Sequence, residues 1–593
     1  MAKSRGMNIP RRAMAPEADV IRPISADDEE ESGIRVRALP PRRRCADVIV
    51  DVLVAAGVDT VYGVPGGAIS TIYDALIDCD SIRVVHVRHE TSALFMAIGH
   101  ARVRPGSLPC VLLTSGPGVT NAVTGLAAAL GEGVPVIVIG GEVPRVKFGR
   151  AALQEGSAEG IDVVSIVRTV TRSAECLTIA SRAGYQVAAA ARRARRLRGP
   201  VFLSLPLDVA VTPTTTTHTG NAELVHELPS ASALAAAASA LSEAERPLLL
   251  VGSGARGAAP EVRSLAERLN IPVITSPKAK GIASEDAPYC LGVFGYGGHA
   301  SASDWLHRYP PDVVLALGCG LNEPSTNSWS TLLQASSTMI QVDLDPTQFG
   351  RNYRTDLALE GDCAMILRAL SPLIDREPWR RCLPGIQHID IAKEARSRRS
   401  SGLDPAAVLA VLQEEVPPDT TYTSDIGEHL LFAIHLIRAR HPEQFIASLA
   451  LGSMGSGVGA AIGAKLAAPE RTVVSICGDF GFQMYGMELN TCVQENVGVI
   501  FLVMNDARMR MVEAGIARNY GRGLPMDGPL IDFAAVAHAH NAEGYVVKSL
   551  EELRSALRRA DGARPLLIDA RIDPGAMFPI NARAQEISNF TAK

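Results

Sequence analysis

The sequence predicts an α/β protein with three doubly wound parallel-sheet domains, and two observations favour this fold class. From about residue 40 onward, short apolar runs of strand length alternate with alanine-rich stretches of helix length. Two irregular, proline-containing stretches divide this alternation into three parts. The chain has 593 residues, of which 47% are hydrophobic, so it is long enough to form three separate cores.

The irregular stretches set the predicted domain boundaries. Residues 1–39 mix charged residues and prolines without apolar periodicity, which is typical of a mobile N-terminal tail. We expect a first domain over residues 40–212, followed by a linker over residues 213–228. A central domain over residues 229–375, a second linker over residues 376–402 and a third domain over residues 403–593 follow.

Apolar runs bounded by turn-forming residues predict four strands in each domain. In the first domain the predicted strands are Val84–Val87, Cys110–Leu113, Val136–Ile139 and Val201–Leu205. In the central domain they are Leu248–Val251, Val273–Thr275, Val313–Leu317 and Ile340–Leu344. In the third domain they are Thr420–Thr423, Val473–Ile476, Val499–Val503 and Leu566–Ile568.

Composition argues against several classes of function. The net charge of −5 gives no overall basic surface for nucleic acid, and the basic run 192–198 is interpreted as the end of a helix. No uninterrupted apolar run reaches the length of about 18 residues that a membrane span needs. The ten cysteines are scattered without a CxxC pair, and no signal peptide is recognisable, so we expect a cytoplasmic protein.

The strongest chemical signal is a pair of aspartates that follow two predicted strands. Asp479 comes after the strand Val473–Ile476, and Asp506 comes after the strand Val499–Val503. Because the carboxyl ends of parallel strands meet at one edge of a sheet, both side chains should lie where such sheets bind ligands. Two carboxylates there could bind Mg²⁺, although a strand-to-helix turn with an aspartate cap would give the same local pattern.

This arrangement resembles the magnesium–diphosphate motif of enzymes that use thiamine diphosphate (ThDP). Four further motifs are similar to those of the acetolactate synthase-like branch of that family, and the matches cover most of residues 45–575. These motifs are Tyr62–Ala68, Arg88–Glu90, Thr114–Asn121 and Leu451–Gly455. The resemblance implies a pyrimidine-binding first domain, a Rossmann-like central domain and a third domain that binds diphosphate and Mg²⁺.

The resemblance also implies roles for individual residues. Glu90 would be catalytic, because its carboxyl group would assist removal of the thiazolium proton of ThDP. The implied cofactor-binding residues are Pro65, Gly66, Glu90, Gly427, Glu428, His429, Met454, Gly478, Asp479, Phe480, Gly481, Asp506 and Met511. The implied Mg²⁺ ligands are Asp479, Asp506 and the backbone carbonyl of Arg508, and the implied substrate contacts are Gly66, Gln154, Val512 and Gly515. For His89 a structural and a functional role are both open.

Several positions depart from the pattern of acetolactate synthases. Phe480 stands where a small residue is usual, and Asp506 replaces an asparagine. An ionised Glu428 would repel a diphosphate, so its carboxyl group must be protonated, paired or turned away. Gly515 falls where the resembling synthases carry a tryptophan, which predicts a roomier pocket and larger substrates in specialised metabolism.

The implied activity is that of a carboligase that decarboxylates a 2-oxo acid on ThDP and transfers the acyl group to a second 2-oxo acid or aldehyde. Its partners would be these small molecules and further copies of the chain, in a homodimer or homotetramer with active sites between chains. The central domain has a GxGxxG pattern at Gly252–Gly257, but no acidic residue follows about 20 positions later. FAD is therefore allowed by the resemblance but not favoured.

Three alternatives remain open from the sequence. The first is a 2-oxo acid decarboxylase on the same fold, in which a proton takes the place of the acceptor. The second is a non-catalytic protein with the ThDP-enzyme fold, and the third is a flavin-dependent oxidase. Product analysis, cofactor binding and a visible absorption spectrum would distinguish them.

Overall fold

The structure is a computed structural model that describes residues 43–214, 227–334, 338–389 and 402–579. It confirms the predicted fold class, because these residues form three six-stranded sheets whose neighbouring strands all run parallel. The predicted tail over residues 1–39 lies outside the described residues, as do parts of both predicted linkers. Among the described helices, none combines the length and the apolar character that crossing a membrane requires.

The first sheet is built from β1 (Thr60–Gly63), β2 (Arg83–His86), β3 (Cys110–Leu113), β4 (Val136–Glu142), β5 (Ser173–Cys176) and β6 (Pro200–Pro206). Its strand order is β2-β1-β3-β4-β6-β5. Its helices are Cys45–Ala55, Ser70–Ile77, Glu90–Val103, Pro117–Asn121, Val123–Gly131, Val163–Arg168, Ala180–Arg196 and Leu207–Ala210. Because the order reverses between β1 and β3, the loops after these strands separate and leave a crevice at their carboxyl ends.

The central sheet is built from β7 (Pro247–Val251), β8 (Val273–Thr275), β9 (Cys290–Val293), β10 (Val313–Leu317), β11 (Thr338–Asp343) and β12 (Leu357–Glu360). Its order is β12-β11-β10-β7-β8-β9, so the reversal falls between β7 and β10. Its helices are Ala231–Glu243, Ala259–Leu269, Ala300–Arg308 and Cys363–Leu370.

The third sheet is built from β13 (Thr421–Ser424), β14 (Phe445–Ala447), β15 (Val473–Gly478), β16 (Val499–Asn505), β17 (Glu543–Val547) and β18 (Leu566–Arg571). Its order, β14-β13-β15-β16-β18-β17, repeats that of the first sheet. Its helices are Pro405–Glu415, Glu428–Leu436, Ser456–Ala467, Asp479–Tyr485, Leu489–Gln494, Arg510–Tyr520, Phe533–Ala539 and Leu550–Leu557.

Two helices join the first and third domains at very close range. The helix Glu90–Val103 packs on the helix Ser456–Ala467, and small residues make the contact possible. A Cβ atom at Gly99 would overlap the backbone carbonyl of Ala460, and one at Gly463 would overlap the carbonyl of Met96. The contact fixes the helix that begins at Glu90 against the helix that follows Met454.

A buried ionic network links all three domains. Glu132 follows the helix Val123–Gly131 and is 6% exposed. Its carboxylate lies 3.2 Å from the Arg102 guanidinium and 3.1 Å from Lys278 Nζ, and it accepts a 2.9 Å hydrogen bond from the Ala450 N–H. Burial alone would raise the pKa of Glu132, but Lys278 and Arg102 hold that pKa below its ordinary value. Glu132 is therefore an anion that the first, central and third domains share.

Replacing Glu132 with alanine should destabilise the junction of the domains by about 3–5 kcal/mol, because two cations would stay buried without their partner. We expect the urea midpoint of unfolding to fall. The matched control is Glu245→Ala, since the Glu245 side chain is 82% exposed and its nearest cation is 3.5 Å away. Equal midpoints for the two variants would show that the network contributes nothing to stability.

Candidate active site

A cavity of about 140 Å³ lies in the third domain, at the carboxyl ends of β13, β15 and β16. Most of the residues proposed from the sequence for this domain line it together. They are Gly427, Glu428, His429, Met454, Gly478, Asp479, Phe480, Gly481, Asp506, Arg508, Met511 and Val512. The loops and helix starts after the three strands converge here because the strand order reverses between β13 and β15.

The two aspartates occupy the place that their spacing predicts. Strands β15 and β16 are neighbours, and Gly478 lies opposite Met504, so Asp479 and Asp506 leave the sheet at the same edge. Burial and then the charge of Asp506 raise the pKa of Asp479 to about 7. Burial also raises the pKa of Asp506, although Arg510 opposes the shift. Two carboxyl groups thus share a site that favours loss of one negative charge.

The turn after Asp506 carries backbone strain. Ala507 has a φ of 56°, in the left-handed region that costs an L-residue about 1–2 kcal/mol. Two backbone hydrogen bonds hold the turn, from the Gly528 N–H to Ala507 O at 2.7 Å and from the Met509 N–H to Met526 O at 3.1 Å. The ring of Phe480 packs against Gly528, where a Cβ atom would lie only 2.9 Å from the ring. Phe480 thus lines the cavity and supports this turn.

Sequence reasoning missed Asp425, which organises the same region. Asp425 follows β13, is fully buried, and accepts hydrogen bonds from the Gly455 N–H at 2.8 Å and the Gly457 N–H at 3.3 Å. Burial raises its pKa to about 6. A Cβ atom at Gly481 would overlap its carboxylate. Asp425 therefore positions the loop that carries Met454, and the one available signal was an aspartate directly after a strand.

Glu428 and His429 begin the helix Glu428–Leu436 at the cavity wall. The Glu428 carboxylate is paired, since it accepts a 2.7 Å hydrogen bond from the Phe578 N–H, and burial raises its pKa. His429 is 8% exposed, and its Nε2 atom is buried without a hydrogen-bond partner among the described residues. Burial lowers the pKa of His429 to about 4. The cavity therefore contains a neutral imidazole with an unsatisfied nitrogen.

A second group of predicted residues lies at the crevice of the first sheet. Glu90 follows β2, is 7% exposed and accepts a 3.0 Å hydrogen bond from Asn121 Nδ2. A Cβ atom at Gly66, after β1, would overlap the hydroxyl of Thr114, after β3. Gly116 lies in the turn after β3, and a Cβ atom there would be 3.2 Å from Gln154. The loop that carries Gln154 therefore packs against this turn.

His89 has a structural role. Its Nδ1 atom accepts a 3.1 Å hydrogen bond from the Thr91 N–H and so caps the helix Glu90–Val103. Its ring also meets the ring of Tyr485 edge to face, with centroids 5.5 Å apart. The cap fixes the first turn of the helix on which Glu90 stands.

A single chain does not bring all the predicted residues together. Glu90, Pro65, Gly66 and Gln154 are absent from the lining of the cavity in the third domain. Gly515 is also absent from the lining, and a Cβ atom there would meet nothing within 4 Å. The site residues therefore form two separate groups within one chain.

A larger cavity of about 590 Å³ lies where the loops after β7 and β10 separate. Basic side chains line much of it, and they are Arg172, Arg196, Arg198, Lys278 and Arg351. The helix Ala180–Arg196 does end in the basic run, as predicted, but that end faces this cavity rather than solvent alone. The lining residues about 20 positions after the glycine pattern, Ser276–Lys278, include no carboxylate, although Glu132, Asp343 and Asp345 line other parts of the cavity.

Three histidines meet where the central and third domains join. Ligand atoms of His299, His388 and His435 lie within 4.8 Å of one another. His299 Nδ1 accepts a 2.8 Å bond from the Val293 N–H, and its Nε2 lies 3.0 Å from His435 O. His435 Nε2 accepts a 3.0 Å bond from the Ile389 N–H, and its Nδ1 lies 3.0 Å from a glycine carbonyl. A metal would have to displace these hydrogen bonds, so we interpret the cluster as a structural contact between the central and third domains.

Comparison with known proteins gives consistent matches over most of the chain. Three family models match: the N-terminal TPP binding domain of thiamine pyrophosphate enzymes over residues 43–165, their central domain over residues 234–370 and their C-terminal TPP binding domain over residues 425–570. The probable acetolactate synthase large subunit of Methanocaldococcus jannaschii is 31% identical, over 92% of this chain and 94% of its own length. The acetolactate synthase isozyme 3 large subunit of Escherichia coli is 30% identical, over 91% and 96%. The acetolactate synthase large subunit of Parasynechococcus marenigrum is 32% identical, over 89% and 88%.

Proposed function

The chain belongs to the thiamine pyrophosphate enzyme family, in its acetolactate synthase-like branch, and we propose that it is a carboligase. It would decarboxylate a 2-oxo acid and transfer the acyl group to a second 2-oxo acid or an aldehyde. The observation that carries this proposal is the single cavity in which Met454, Asp479 and Asp506 meet at the carboxyl ends of parallel strands.

The cavity suits the diphosphate end of ThDP together with Mg²⁺. Carboxylate oxygens, as in Asp479 and Asp506, are the ligands that Mg²⁺ prefers. A divalent cation held by these carboxylates would offset the burial and the repulsion by Asp506 that raise the pKa of Asp479. The buried Nε2 atom of His429 lacks a partner among the described residues, and a bound ligand would supply one.

In the proposed reaction, different residues of this chain would bind the metal, orient the cofactor and hold a proton. Asp479, Asp506 and the backbone carbonyl of Arg508 would hold Mg²⁺ and so orient the diphosphate. Bound ThDP supplies the electron sink for decarboxylation. Glu90 would hold a proton at N1′ of the aminopyrimidine, and its hydrogen bond from Asn121 fixes the orientation of its carboxyl group.

We propose that each complete active site lies between two chains. Glu90 and the metal-site residues form separate groups within one chain, and the 140 Å³ cavity is smaller than the roughly 300–1,000 Å³ of ordinary ligand sites. Large apolar side chains are also exposed beside both groups. They are Leu153, Ile161, Leu451, Met484 and Met487. A second copy of the chain would cover such side chains and place its own Glu90 opposite the cavity.

The acceptor pocket is proposed to take substrates larger than pyruvate or 2-oxobutyrate, which would suit specialised metabolism. Val512 lines the cavity, while Gly515 lies further along the same helix with open space beside it. Gly515 does not line the cavity of the single chain, and the open space beside it is the room that we propose a larger acceptor would use.

The experiment that tests the proposed function supplies ThDP, Mg²⁺ and 2-oxo acids, singly and in pairs, and identifies products by mass spectrometry. We expect carboligated products, with bulky 2-oxo acids among the accepted substrates. Aldehydes alone would show a simple decarboxylase instead. Activity confined to pyruvate and 2-oxobutyrate would contradict the larger pocket.

No flavin is assigned to the proposed reaction. The central cavity lacks a carboxylate about 20 positions after its glycine pattern, and Lys278 stands in that part of its lining. A visible absorption spectrum of the purified protein should therefore show no flavin band. The predicted cytoplasmic location likewise stays a proposal that follows from the cysteine pattern.

A further inference from the structure

Arg510 occupies an unusual position in the proposed active site. It is the first residue of the helix Arg510–Tyr520 and lines the cavity together with Glu428, Asp479 and Asp506. Its side chain is 15% exposed. A guanidinium group is thus held in a wall that also contains the three carboxyl groups of Glu428, Asp479 and Asp506.

The Arg510 guanidinium lacks a full set of partners within the described residues. Its Nε atom is buried and makes no hydrogen bond there. Its Nη1 atom lies 3.9 Å from Asp506 Oδ2, which is too far for a hydrogen bond. Arg508, the other cation in the lining, differs because its side chain pairs with Asp527.

The charges around Arg510 would change when the site is filled. Metal binding would engage the carboxylates of Asp479 and Asp506. Less negative charge would then remain near Arg510 to balance its positive charge. One oxygen of Glu428 accepts the hydrogen bond from the Phe578 N–H, and burial raises the pKa of this carboxyl group although the charge of Arg510 opposes the shift. A planar guanidinium with free N–H groups is suited to two parallel hydrogen bonds with a phosphate or a carboxylate.

We infer that Arg510 is a binding residue for an oxyanion of the ligand that fills this cavity. The oxyanion is either a phosphate group of the cofactor or the carboxylate of the 2-oxo acid. The inference rests on the proposed function, and it adds a residue that the motifs of the sequence do not include.

The test compares three variants of the full chain. Arg510→Met removes the charge but keeps an unbranched side chain, and Arg510→Lys keeps the charge but loses the planar fork. Arg518→Met is the matched control, because Arg518 stands on the same helix, is exposed and does not line the cavity. Calorimetry gives the Kd of ThDP and of inorganic diphosphate, each with Mg²⁺, and steady-state kinetics at saturating ThDP give the KM and kcat for pyruvate.

A phosphate partner predicts that Arg510→Met raises the Kd of both ThDP and inorganic diphosphate by about ten- to hundredfold. The KM for pyruvate should then stay unchanged once ThDP saturates. A carboxylate partner predicts the reverse, with both Kd values unchanged and the KM for pyruvate raised by a similar factor. In either case Arg510→Lys should recover part of the loss, and Arg518→Met should resemble the wild type.

Two results would overturn the inference. Arg510→Met could match the wild type in both Kd values and in KM, or Arg518→Met could weaken binding as strongly as Arg510→Met. The second result would mean that the helix acts through its overall charge. Failure of the wild-type chain to bind ThDP is a different result, which would overturn the proposed function and this inference with it.

Discussion

Replacing Glu90 with glutamine is expected to lower the rate of product formation by at least about 100-fold while ThDP still binds. Glutamine keeps the size of the side chain and can still meet Asn121. Its amide cannot hold and release a proton at the aminopyrimidine as a carboxyl group does. The loss should therefore appear in kcat, with little change in the Kd of ThDP measured by calorimetry.

A second measurement examines the proton step itself. The thiazolium proton of bound ThDP should exchange with deuterated solvent more slowly in Glu90→Gln than in the wild type. Glu245→Gln is the control, because this side chain is exposed in the central domain and outside both groups of site residues. A Glu90→Gln variant that retains wild-type kcat and exchange would remove Glu90 from the mechanism.

Replacing Asp479 with asparagine is expected to weaken Mg²⁺-dependent binding of ThDP by at least about 100-fold. The substitution removes one of two buried carboxylates while keeping nearly the same shape, so the helix Asp479–Tyr485 should still begin at this position. Calorimetric titration of ThDP at several Mg²⁺ concentrations would measure the loss. Removal of Mg²⁺ from the wild type with a chelator should give a similar reduction in affinity.

The control for this prediction is Asp419→Asn, which changes an exposed aspartate of the same domain. Unchanged ThDP affinity in Asp479→Asn would mean that the aspartate pair is only a structural turn. A wild-type chain that binds no ThDP at all would instead favour a non-catalytic protein on the ThDP-enzyme fold.

Mixing the two inactive variants distinguishes sites between chains from sites within one chain. If Glu90 and Asp479 come from different chains, a mixed dimer of Glu90→Gln and Asp479→Asn contains one intact site. Random reassociation should then restore about a quarter of the wild-type activity. Mixtures that stay inactive after exchange of chains is demonstrated would place each site within one chain.

Buried elements were the part of the fold that the sequence could predict. Strands β3, β8 and β10 have the predicted bounds, because continuous apolar runs mark strands that are covered on both faces. The predicted positions of Asp479 and Asp506 are also confirmed, since both follow such strands. Their proposed binding roles remain predictions.

Five of the six edge strands were missed, and three of these five share a physical reason. Strands β5, β12 and β17 lie at the edges of their sheets and keep partly exposed residues, so they lack a continuous apolar run. Strand β1 was missed although it is central, because its four residues include Thr60 and Gly63. Hydrophobic periodicity and composition do not detect a strand that is short or half-exposed.

Residues that act through distant partners were also missed. Asp425 accepts a hydrogen bond from the Gly455 N–H, in the loop before the helix Ser456–Ala467. No local sequence motif predicts that contact. Glu132 only interrupts an apolar stretch in the sequence, because its partners Lys278 and Ala450 lie far along the chain. A binding role for Arg510 can be inferred only from the cavity that it lines, which the sequence does not show.

The Glu132 network has a consequence for chimeric enzymes. The three family models suggest that a domain could be exchanged between relatives as a cassette. In this chain such an exchange would separate Glu132 from Lys278, or from the backbone donor at Ala450. A functional graft must therefore bring its own cation and donor to this junction, so recombination is constrained by one carboxylate as well as by the active-site motifs.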